Sequence, residues 1–229
     1  MKNYYKIKIV AILFALFINI HIQAQAKQSD SSNVYKEYNN LEDALKNPEK
    51  VYRLNLSNQK IKFPSDSIWS KFSNLEYLSL KNDHLQEIPS GIGNLRKLKT
   101  LDLGGNDFKY LPSSFSKLSN LSEIYLNDDK NLDINQSFSV LKDLPQLKIL
   151  HLENDLLKKL PKSILFLDKI EYLYLNNNEL KEFPSELIQL KNLKYLDLHD
   201  NKFRLKHPDN EKRESFKTLL SDKYKKWPF

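Results

Sequence analysis

Ser114-Phe115-Ser116-Lys117 has the S-x-x-K spacing of a serine nucleophile with a lysine nearby. The companion motifs of that chemistry are absent, and Phe115 falls on an apolar anchor of a repeating unit, so the match is a coincidence of spacing. His151 and His199 could each ligate a metal, but they fall on strands two repeats apart. Strand spacing alone separates them by about 10 Å, too far to share an ion whose bonds are about 2 Å long. Both are expected as surface histidines. The run Asp129-Lys130-Asn131-Leu132-Asp133-Ile134-Asn135 is acidic but lacks the D-x-D-x-D-G order of a calcium loop. No His-Glu-x-x-His, Gly-x-Ser-x-Gly or phosphate loop occurs. The chain has no cysteine, which excludes thiol catalysis, structural disulfides, Cys-ligated zinc and a lipid-bearing leader cysteine. The expectation is a protein that is not an enzyme and carries no cofactor and no metal.

The residues that remain interesting are tyrosines, and a repeat positions them. The pattern L-x-x-L-x-L starts at Val51, Leu75, Leu98, Leu121, Leu147, Ile170 and Leu193, with separations of 24, 23, 23, 26, 23 and 23 residues. A polar residue follows three places after the last strand leucine: Gln59, Asp83, Asn106, Asp129, Asp155, Asn178 and Asn201. Most units then carry an apolar-Pro pair, such as Ile88-Pro89, Leu111-Pro112 and Leu160-Pro161. Two further apolar anchors close the unit, as in Ile92 and Leu95 or Ile164 and Leu167.

Alternation of the last two leucines with polar residues is the period of a strand with one buried face. An Asn or Asp side chain at the ninth position can satisfy backbone groups of the turn that follows. Proline fixes an extended, non-helical step. The I-x-x-L spacing then closes one short helical or 3₁₀ turn. Each unit buries its leucines only against its neighbours, so the units must stack.

These repeats resemble the leucine-rich-repeat family, in the form with L-P-x-x-I-x-x-L outer segments, over about Val51 to Leu205. The resemblance implies an α/β solenoid forming a short curved arc. A parallel β-sheet would line the concave face, and short helical or 3₁₀ segments the convex face. Seven strands would span roughly 30 Å. The fourth unit departs from the pattern, with 26 residues and no apolar-Pro pair. Its three extra residues are expected to bulge after the strand, with Leu141 and Leu144 recovering the outer anchors.

Strand positions three, five and seven should face the concave side. There Tyr125, Ile149, His151, Tyr172, Tyr174 and Tyr195 adjoin one another over the fourth to seventh units, bordered by Asp102, Glu123 and Glu153. Exposed tyrosines combine large apolar area with a polar tip, as at interface hot spots. This patch is the expected partner site. Its partner is expected to be a protein; the alternative is a glycan stacking on the tyrosines. Self-association through the patch is a third reading.

Both ends of the chain read as accessory. Met1–Lys8 is polar with three lysines, Ile9–Ile20 is apolar except for Asn19, and Ala24-Gln25-Ala26 is a small-x-small site. That order is a secretory signal peptide over residues 1–26, cleaved after Ala26. No second apolar run of spanning length occurs, so the processed chain is expected to be secreted, periplasmic or at the cell surface and not membrane-spanning. With this leader the chain resembles secreted bacterial leucine-rich-repeat proteins, which implies adhesion, host contact or envelope interaction. Residues 27–39 read as a polar linker. Residues 40–50 read as a helical cap, with Asn40 as N-cap and Leu41, Ala44 and Leu45 facing the first unit. Residues 206–229 read as a C-terminal helical cap, with Phe216, Leu219 and Leu220 on its apolar face. The formal charge of +7 belongs to these ends: Lys2, Lys6 and Lys8 lie in the leader, and nine basic against four acidic residues lie from Lys202 onward. The rest is close to neutral, without the basic stripe that nucleic acid requires.

Overall fold

Each repeat contributes one three-residue strand, beginning two residues after the unit's first apolar position. The computed structural model describes residues 36–63 and 65–203. The expected leader, most of the linker and the C-terminal cap lie outside the described residues. The repeat strands are β2 (Arg53–Asn55), β3 (Tyr77–Ser79), β4 (Thr100–Asp102), β5 (Glu123–Tyr125), β6 (Ile149–His151), β7 (Tyr172–Tyr174) and β8 (Tyr195–Asp197). They pair in parallel and in chain order, so position five of one strand stands beside position five of the next: Asp102 with Tyr125, Tyr125 with His151, His151 with Tyr174, Tyr174 with Asp197. The register holds across the 24- and 26-residue units as well as the 23-residue ones.

An eighth strand precedes the repeats. Glu37–Tyr38, within the segment expected as linker, forms β1 and pairs in parallel with β2. Its two residues follow no leucine pattern. Backbone pairing and the Glu37 carboxylate hold it, the latter accepting from Arg53 Nη2 at 3.1 Å and from Asn55 Nδ2 at 3.2 Å. Helix α1 (Leu41–Leu45) follows, capped by Asn40 Oδ1 accepting from the Asp43 amide at 3.1 Å. Ala44 of α1 is buried, with Leu41 and Leu45 packed against the core.

Opposite the sheet run 3₁₀ segments such as Ser90–Asn94, Ser113–Lys117, Lys162–Phe166 and Ser185–Gln189. The core between the layers is continuous. Leucines fill the strand side, and Trp69, Phe72, Phe108, Phe115 and Phe138 are the largest fully buried side chains. Ser114 sits in one of the outer segments, its hydroxyl donating to the Ser90 carbonyl at 2.6 Å. It packs the outer layer and holds no nucleophile geometry.

The expected bulge after β5 is instead a two-turn helix, α2 (Ile134–Leu141). Asp129 keeps the ordinary ninth position and is 1% exposed, so the acidic run starts inside the solenoid. The extra residues lengthen the outer segment from a 3₁₀ turn to an α-helix. Asp133 caps it by accepting from the Gln136 amide at 3.0 Å, and Phe138 and Leu141 supply the buried anchors.

The ninth-position side chains form a ladder under the strand ends. Asn106 Nδ2 donates to the carbonyls of Leu80 and Leu103 at 2.9 and 2.6 Å, while its Oδ1 accepts from the amides of Asp83 and Leu85. Asn178 repeats the arrangement three units on. At the eighth position every residue has positive φ: Asn58, Asn82, Gly105, Asp128, Asn154, Asn177 and Asp200. Only Asn, Asp and Gly occupy it, the residues that tolerate left-handed backbone. A Cβ at Gly105 would also come within 1.9 Å of the Asn82 side chain. Among the described residues no helix is long and apolar enough to cross a membrane.

Candidate binding surface

The register of β5, β6 and β7 stacks three rings in one column. Tyr125 and His151 lie 3.9 Å apart between centroids and 10° from parallel; His151 and Tyr174 lie 4.3 Å apart and 5° from parallel. Ring separations close to strand spacing make this packing available only to flat side chains at the same strand position. Tyr195 leans against Tyr174 at 5.2 Å and against Tyr172 at 6.4 Å. Ile149 is half-buried between its register neighbours Glu123 and Tyr172. Tyr172 is the most open of the set, at 36% exposed.

His151 is not a surface histidine. It is 8% exposed, because a tyrosine covers each face of its ring. Both ring nitrogens face carboxylates: Nδ1 lies 3.0 Å from Glu153 Oε1, and Nε2 3.3 Å from Glu123 Oε1. Glu123 Oε1 also accepts from the Tyr125 hydroxyl at 2.9 Å. Glu123 and Glu153 therefore lie inside the patch, holding its central rings, where a bordering position was expected. The second oxygen of Glu153 is buried without a hydrogen-bond partner.

Asp102 stands beside Tyr125 in register and accepts from the Gly104 amide at 3.1 Å and from Ser79 Oγ at 3.3 Å. Burial raises its carboxyl above the ordinary range, opposed mainly by the Gly104 amide. Asp197, outside the expected set of site residues, stands beside Tyr174 at the other end of the column. The position-five column alone carried that signal, since Asp102 and Asp197 bracket the three rings. Asp197 Oδ1 accepts from the His199 amide at 3.2 Å and faces His199 Nδ1 at 2.6 Å. The local field is negative. Burial raises the Tyr125 phenol far above its ordinary value, with Glu123 adding to the rise. Tyr174 is raised by burial and then by Glu153 and Glu123. His199 does not join His151, and among the described residues no three acidic or histidine side chains form a metal site.

The surface is thus a pre-packed strip of rings on one side of a stacked parallel sheet, with carboxylates between and beyond them. A family model for "Leucine-rich repeat region" matches residues 50–144, and one for "Leucine rich repeat" matches residues 145–203. The chain is a leucine-rich-repeat protein. Among curated proteins, none matches its sequence significantly. Among solved structures it is similar to an internalin, inlF, of Listeria monocytogenes, with 26% identity and a TM-score of 0.53 over 67% of this chain and 43% of that one. It is also similar to an LRR protein of Leptospira interrogans, with 27% identity and a TM-score of 0.42 over 75% and 60% of the two chains. A chain of the Drosophila Toll–Spatzle complex shares the fold, with 20% identity and a TM-score of 0.50 over 65% and 23%. This chain spans less than two thirds of the length of each.

Proposed function

We propose that the protein binds another protein through the sheet face of repeats four to seven. Leucine-rich-repeat domains are in general protein-interaction modules, and this one gathers five aromatic rings on the strand face of repeats four to seven. The observation that carries the reading is the column of Tyr125, His151 and Tyr174 with Tyr172 and Tyr195 beside it. Rings already packed against one another lose little side-chain freedom on binding, which is what makes an aromatic cluster an effective anchor.

A glycan platform needs a ring face open to the sugar. In the central column both faces of His151 and the inner faces of Tyr125 and Tyr174 are spent on one another, so a partner meets ring edges, hydroxyls and the outer faces of the two tyrosines beside Asp102 and Asp197. That geometry favours a protein surface over a sugar. The leader, with its basic, apolar and small-x-small order, supports action outside the cytoplasm. N-terminal sequencing of the protein recovered outside the cell tests this, with Lys27 as the expected first residue.

The binding reading is tested by capture from cognate extracts with the protein and with a Tyr172→Ala/Tyr174→Ala variant. Loss of the captured partner, with the far-UV spectrum and melting transition kept, supports it. Unchanged capture by the folded variant overturns it.

A further inference from the structure

The carboxylates of this face form no ion pair with a lysine or arginine among the described residues, and of those side chains only Lys81 of the second repeat lies near enough to Asp102 to favour its charge. Among the described residues, Asp102, Glu123, Glu153 and Asp197 form no ion pair with any Lys or Arg; their charged contacts are His151 and His199. Some glutamates elsewhere do have basic partners. Glu76 pairs with Lys99, Glu171 with Lys148 and Lys194, and Glu179 with Lys202. The strand positions of repeats three to seven that line the face hold no Lys or Arg at all. The unmatched charge sits among half-buried side chains, where screening by salt is weakest.

The chain itself displays what such a combination holds. Near its N-terminal end, Arg53 places its guanidinium carbon 4.0 Å from the centre of the Tyr77 ring. The same guanidinium donates to Glu37 at 3.1 and 3.3 Å. Ring and carboxylate come from strands on either side. Further along, Tyr125 with Asp102 and Tyr174 with Asp197 supply the same two components from adjacent strands, and no arginine completes them.

We infer that the partner presents a cationic segment to this face, with arginine favoured because its planar fork can stack on a tyrosine while donating to a carboxylate. This rests on the concave-face reading above and specifies its partner's chemistry. Asp102 and Glu153 are the specificity-determining residues. Glu153 sets its carboxylate against the edge of His151, the ring on which Tyr174 stacks.

The test is selection of random peptides displayed on phage, counter-selected on the Tyr172→Ala/Tyr174→Ala variant so that only peptides needing the concave tyrosines are counted. Enrichment of Arg and Lys above the input library is expected. So is binding about tenfold weaker on an Asp102→Asn/Glu153→Gln variant, which keeps the oxygens that accept from Gly104 and His151. Tyrosine-dependent peptides with Arg and Lys at or below input frequency overturn the cationic assignment and leave the concave interface standing. Selection that yields no tyrosine-dependent peptide overturns both.

Discussion

His151 and Tyr174 lie ring on ring, 4.3 Å apart and 5° from parallel. Tyr125 covers the other face of the imidazole, so one side chain fixes two aromatic neighbours. Three strands contribute one ring each, and only the middle one can also hydrogen-bond at both edges. The face is therefore organised from its centre outward, with His151 as the link between ring packing and the carboxylates.

Replacing His151 with Ala removes two ring contacts, each worth about 0.5–1.5 kcal/mol, and takes the imidazole contact from Glu153 Oε1. The expected loss of stability is about 2 kcal/mol, read from urea denaturation with unchanged m-value. Affinity for the captured partner should fall as well, because Tyr125 and Tyr174 are then free to move. A variant as stable as the parent, binding as tightly, would show that the rings need no central link.

The ninth-position ladder makes stability depend on pH. Asp129 and Asp155 stand where Asn106 and Asn178 stand in neighbouring repeats, and the Oδ2 atom of each is buried without a partner. Burial pushes the Asp129 carboxyl up to about 9 and the Asp155 carboxyl up to about 8. Between the ordinary carboxyl value near 4 and these raised values, the folded state holds protons that the unfolded chain has released. Stability must then fall as pH rises through that window and level off above it. Asp129→Asn restores the donor that Asn106 uses toward two strand carbonyls. It should stabilise by about 1–3 kcal/mol at pH 8, with a smaller gain at pH 5. Denaturant midpoints at the two pH values check this, and a gain that does not shrink on acidification would contradict it.

How far the sequence spoke can be judged from the residues themselves. The leucine period and the ninth-position Asn and Asp were legible because each repeat must solve the same packing and hydrogen-bonding problem. Strand alternation also placed Tyr125, His151 and Tyr174 on one face. It did not show that His151 is buried, because alternation gives a side chain's direction and says nothing of what its neighbours lay over it. Glu37–Tyr38 was illegible as a strand for a different reason: backbone pairing to β2 holds it, and that leaves no mark on residue type. The helix at Ile134–Leu141 was hidden in an insertion whose length fits a loop equally well.

Leu156 is a strained position outside the strands. Its φ is 57° and it is 47% exposed, so it bears the cost of left-handed backbone with little burial in return. For an ordinary side chain that cost is about 1–2 kcal/mol. Leu156→Asn should raise stability by about 1 kcal/mol, measured by thermal and urea denaturation. The lost apolar contact works the other way, so a neutral result would mean that the exposed leucine packs more tightly than its accessibility indicates.

Gln136 explains why the irregular fourth repeat needs its helix. Its Oε1 accepts from the Leu111 amide at 3.1 Å, and its Nε2 donates to the Leu111 carbonyl at 2.9 Å. The side chain thus satisfies both backbone groups of a residue in the preceding unit, and α2 is what carries it there. Gln136→Ala leaves both groups without that partner, at an expected cost of about 1–3 kcal/mol. Gln136→Glu keeps the acceptor and loses the donor, so it should fall between parent and Ala. Hydrogen exchange at the Leu111 amide reads the effect locally, and exchange should accelerate in Ala more than in Glu. If the two variants match the parent in both stability and exchange, the helix at Ile134–Leu141 is an accommodated insertion and not a replacement for the missing apolar-Pro step.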